Sequence, residues 1–139
     1  MYEEITQNIL DILKADPTLA AAIKGWYFGQ HDIRKPKTRY PFIDAKWRGG
    51  PIKKLKTGRT VITRRTITFW IRCVDRHFDE AMAEKSVMAL TEQIETVLDA
   101  DETLGDLVSS STITEVLSDA VVSDEYSVVG SHVSLETKK

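Results

Sequence analysis

Residues 60–74 form the clearest strand of the sequence, because from Thr66 to Cys73 its side chains alternate, and only an extended strand turns that period into two distinct faces. Ile67, Phe69, Ile71 and Cys73 fall on one face, and Arg64, Thr66, Thr68, Trp70 and Arg72 on the other. An apolar strand face has to be covered, and the next segment is built for that. Asp79 is a suitable cap for a helix over 80–99, whose Ala83, Val87, Leu90, Ile94 and Val97 form a stripe at helical spacing. Two further strands follow an acidic connection over 99–106. They are expected near 111–122 and 126–136, with Val129, Val133 and Leu135 on one face.

The N-terminal part supplies a second cover and more sheet. Ile5, Ile9, Ile12 and Leu13 recur at helical spacing, and Pro17 ends that helix because the residue before a proline avoids the helical conformation. Residues 18–22 suit a brief helical turn. Gly25-Trp26-Tyr27-Phe28-Gly29 reads as a strand, residues 30–39 as a polar loop and 40–47 as another strand. Ile43, Ala45 and Trp47 alternate there with Asp44 and Lys46. Trp26, Phe28, Phe42 and Phe69 are assigned to the core. The fold expected is α+β: one mixed, mostly antiparallel sheet carrying a long helix and a shorter N-terminal helix. At 139 residues and 42% hydrophobic content, the chain suits one domain over 1–139.

Between the second strand and the long strand lies a stretch, 48–60, that resists burial. It holds Gly49-Gly50-Pro51 and the bases Arg48, Lys53, Lys54, Lys56 and Arg59, and is expected as a long exposed loop or a protruding β-hairpin arm. The arm belongs to a wider asymmetry. Residues 34–76 hold fourteen Lys and Arg against two acids, whereas residues 77–139 hold fourteen acids against three bases, under a net charge of only −2. Such a division points to a basic surface that meets an acidic one. The plain alternative is that the two halves neutralise each other inside one molecule.

Enzymatic constellations are missing from the sequence. Gly58 is followed by Arg59 where a phosphate loop needs Lys-Ser or Lys-Thr at a helix start. No nucleophile elbow, metalloprotease helix or paired CxxC occurs. Cys73, Asp75 and His77, with His31 and Asp32 elsewhere, carry metal-ligating groups. Cys73 lies on the apolar face, however, and Asp75-Arg76-His77 is expected to leave the strand. No catalytic residue, metal or cofactor is therefore assigned. His132 reads as an exposed strand residue. Trp70 among arginines suits an interface, and it equally suits a face covered by the first helix. The single cysteine, the lack of a long apolar run and the acidic N-terminus lead to an expectation of a cytosolic chain that does not enter membranes. The basic segment invites nucleic acid, but residues 48–60 lack the interleaved aromatics of single-strand binders.

The order of features resembles a known group. It consists of Leu13-Lys14-Ala15-Asp16-Pro17-Thr18-Leu19 closing the first helix, Trp26-Tyr27-Phe28-Gly29, Tyr40-Pro41-Phe42-Ile43, Thr66-Ile67-Thr68-Phe69-Trp70-Ile71, the helical segment over 75–99 and two closing strands. This layout is similar to that of the small tail terminator, or tail-completion, proteins of long-tailed bacteriophages and related viruses. The resemblance implies a homo-oligomeric ring, typically a hexamer, on the end of the tail tube. The ring stops tube polymerisation and offers the surface that joins tail to head. Implied partners are the tail tube protein and a head-completion or connector protein, with non-specific contact to passing DNA. The implied location is the tail–neck junction of the virion, and the host cytoplasm during assembly. Only regions carry over: the arm, with Arg48, Lys53, Lys54, Lys56 and Arg59; Trp70 with Arg64 and Arg72; and the acidic helix, with Glu84, Glu92 and Glu95. Another neck or head-completion protein, or a small non-specific DNA-binding protein using 34–76, are the alternatives.

Overall fold

The computed structural model describes residues 1–122 and 127–139. Three helices, α1 (Tyr2–Ala15), α2 (Pro17–Ala22) and α3 (Glu80–Asp99), accompany six strands. The strands are β1 (Gly25–Phe28), β2 (Phe42–Gly49), β3 (Ile52–Thr57), β4 (Thr60–His77), β5 (Ser110–Val122) and β6 (Ser127–Lys138). They form one sheet in the order β1-β2-β4-β6-β5, with β3 paired to β4 off that path. β1 runs parallel to β2 and every other pair is antiparallel. The fold class is therefore α+β, as the alternation of β4 and the stripe of α3 require.

Local chemistry sets the helix ends. Asp16 accepts from the Leu19 N–H at 3.0 Å and starts α2 directly after α1, with Pro17 at its first position. Asp79 accepts from the Ala81 N–H at 3.0 Å and starts α3. Ile5, Ile9, Leu10 and Leu13 of α1 share one buried cluster with Leu90, Ile94 and Leu98 of α3 and with Ile43, Ala45, Ile67, Phe69, Ile71 and Cys73 of the sheet. All the helices thus lie on one sheet face. Thr91 closes the polar ledger between α3 and β6: its hydroxyl donates to the Val87 carbonyl, and its oxygen lies 2.6 Å from that of Ser131.

Several sequence expectations change. β4 does not end before Asp75, because Asp75, Arg76 and His77 stay paired with Val129, Val128 and Ser127 of β6. Phe28 is 55% exposed rather than core, since β1 is a short edge strand and Phe28 its last residue. Trp26 is half-buried against the helix-side cluster. Trp47 is exposed on one side and stacks on Tyr2 of α1 with ring centroids 4.9 Å apart. On α3 the deepest C-terminal contact is made by Leu98, with Val97 beside it. Tyr126, the expected first residue of the last strand, lies outside the described residues. The first helix does not cover Trp70, because it packs on the opposite sheet face.

Candidate assembly interface: the basic arm and the open sheet face

The 48–60 stretch is largely strand. Arg48 and Gly49 finish β2, a Gly-Gly-Pro kink follows, and β3 resumes pairing with β4, from Ile52 opposite Arg65 to Thr57 opposite Thr60. The kink has a steric cause. A Cβ on Gly50 would sit 1.8 Å from the Thr66 carbonyl oxygen, and Gly49 holds φ at +80°. Beyond it the hairpin leaves the core: every residue from Gly50 to Arg64 is exposed. β3's contacts are with β4, while α3 packs on β4, β5, β6 and the shorter helices.

Antiparallel pairing sorts the arm's side chains. Lys53 faces Arg64 and Leu55 faces Ile62 across one side, while Lys54 faces Thr63 and Lys56 faces Val61 across the other. Ile52, Leu55, Val61 and Ile62 are all exposed, so the arm presents aliphatic side chains among its bases. Leu55 and Ile62 were legible only as apolar residues in a basic run; the cross-strand register makes them a patch. Among the described residues none of Lys53, Lys54, Lys56, Arg59 and Arg64 forms an ion pair. The same holds for Glu84, Glu92 and Glu95 on one flank of α3, where Met88 is also exposed.

The sheet face opposite the helices carries Trp70. The Arg48 guanidinium lies 3.8 Å from its ring centroid and His132 stacks on it at 5.5 Å. His132 is half-buried rather than exposed, and its pKa is lowered from the ordinary 6.5, first by burial and then by the Arg72 charge. Arg72 itself points inward. Its Nη2 lies 2.6 Å from Asp44 Oδ2, with the two side chains 13% and 2% exposed, and it also donates to the His31 carbonyl. Asp44 further accepts from the His31 N–H at 2.9 Å. This buried pair fastens the loop before β2 onto the open face. Tyr27, His31 and Tyr40 pack around Phe42 beside it.

Cys73 is fully buried, and burial pushes its thiol pKa up, which suits a small core residue rather than a nucleophile. Among the described residues no His, Cys, Asp and Glu cluster has metal-binding geometry. No helix is long and apolar enough to cross a membrane among those residues. No protein-family model and no curated protein sequence matches the chain.

Proposed function

We propose that this chain is a virion assembly protein of the tail-terminator type, closing into a homo-oligomeric ring that caps a tail tube and presents a head-joining surface. The observation that supports the reading is the arm. A hairpin is marginal on its own, and this one leaves four aliphatic side chains about half exposed, with no helix packed over them. Completing the burial of each would contribute about 1 kcal/mol, enough to favour a docked arm. The α3 flank of a second copy is the natural acceptor, since Glu84, Glu92 and Glu95 surround Met88 there. Two different patches on one chain make a heterologous contact, the kind that closes rings. Opposite charges steer that contact and oppose arm-to-arm registers.

Size-exclusion chromatography with light scattering, across concentrations and with or without tail tube protein, tests the proposal. A ring-sized species, alone or on tubes, is expected. A strict monomer that never associates with tubes overturns it.

A further inference from the structure

We infer that the root of the arm is a binding cleft for the phosphodiester backbone of a nucleic acid. A cleft of about 550 Å³ opens there between the arm and the end of β6. Five of its nine lining residues are basic: Lys53, Arg64, Arg65, Lys138 and Lys139. None is acidic. Register sets three of these charges, Lys53, Arg64 and Lys138, on the open sheet face, while Arg65 and Lys139 alternate to the helix side at its margin. Lys53 faces Arg64 across the hairpin, Lys138 faces Thr66 across β4 and β6, and Arg65 and Lys139 exchange backbone hydrogen bonds of 2.9 and 3.0 Å. The Arg65 guanidinium turns instead to the helix side of the sheet, where it donates to the Tyr2 hydroxyl of α1 at 3.0 Å. The site therefore joins one segment of the basic half of the sequence to two lysines from the otherwise acidic half.

The lining chemistry favours phosphate over an acidic protein. Pro51 is the only apolar residue lining the cleft, most of whose wall is formed by the aliphatic stems of its Lys and Arg side chains, with Ser109, Ser110 and Thr66 beside them. Protein partners are held by buried aliphatic and aromatic anchors, and on this chain those sit further out, at Leu55 and Ile62. A concave group of guanidinium, ammonium and hydroxyl donors is what adjacent phosphates of a chain require. Among the described residues, none of the five bases is neutralised by an ion pair. Glu136, the nearest acid in register on that face, pairs with Thr68 and does not line the cleft.

This inference is independent of the ring, because the cleft is complete within one molecule. The test is fluorescence polarisation of the full chain with a labelled DNA duplex and a labelled single-stranded RNA over a salt series. Both should bind at low salt, with log affinity falling against log salt at a slope of about −2 to −4. The triple variant Lys53→Gln, Arg64→Gln, Lys138→Gln should weaken binding about tenfold or more and flatten the slope by about 2. Lys138→Gln alone should flatten it by about 1. A control triple at the arm tip, Lys54→Gln, Lys56→Gln, Arg59→Gln, removes the same charge and should cost clearly less. The substituted side chains are exposed, so circular dichroism should be unchanged for both triples. Failure of both nucleic acids to bind, or equal loss from the two triples, overturns the cleft. So does competition by polyglutamate as effective as that by nucleic acid of equal charge, which assigns the cleft to an acidic protein instead.

Discussion

Strand β4 is two different objects joined end to end. From Thr66 to His77 it is paired with β6 throughout and with β2 from Thr68 to Val74, with Ile67, Phe69, Ile71 and Cys73 buried under the helices. From Thr60 to Arg65 it has β3 on one edge, touches β6's end only at Arg65 and exposes nearly every side chain. The inner half is held by burial and by ladders on both sides. The outer half has neither, yet it retains strand geometry and aliphatic side chains. Its lysines and arginines oppose indiscriminate strand addition along an unpaired edge, while its aliphatic residues remain available to one matching surface. One continuous strand thus carries both the rigid centre of the fold and its reach toward partners.

The contrast can be broken at either end. Phe69→Ala removes a fully buried ring from the inner half and should cost about 3–5 kcal/mol, read as a lower midpoint in urea unfolding. Breaking the Arg72–Asp44 pair with Arg72→Met should cost about 3–5 kcal/mol, since it strands a carboxylate that is 2% exposed. Hydrogen exchange should then rise at the His31 amide, which Asp44 accepts from. Gly50→Ala acts at the junction of the two halves. Its new methyl collides with the Thr66 backbone, so the kink must open, at about 1–3 kcal/mol, with faster exchange at the Thr66 amide that now bonds to Pro51. Leu55→Ser with Ile62→Ser in the outer half should change monomer stability by less than about 0.5 kcal/mol. The same pair should abolish any ring seen by light scattering. If it instead destabilised the monomer as Phe69→Ala does, the arm would belong to the core.

Much of this architecture was legible because periodicity reports burial directly. The alternation over 66–73 and the stripe on α3 each mark one apolar face, and the cap Asp79 marks where α3 begins. The misjudged details share a cause. Phe28 is aromatic but sits at the end of a short edge strand, and Asp75 to His77 are polar but remain paired with β6. In both cases a neighbouring strand decided the outcome, and composition does not record neighbours. The candidate surfaces divide in the same way. The bases Arg48, Lys53, Lys54, Lys56 and Arg59 were evident from local charge, while the place of Lys138 and Lys139 beside them was not, because register over a long sequence separation brings them there.

By itself, then, the sequence determined the α+β class, the apolar faces of β4 and α3, and a glycine-proline break followed by a basic segment too polar to bury. Those features depend on residues within a few positions of one another. Tertiary structure alone decided that all helices share one sheet face, leaving Trp70 with Arg48 and His132, and that Arg72 turns inward to Asp44. It also decided that the segment after the break continues β4's ladder as an uncovered hairpin, with a basic cleft at its root. Register and layer order depend on which distant strands pair, and that choice is settled by the free energy of the whole core.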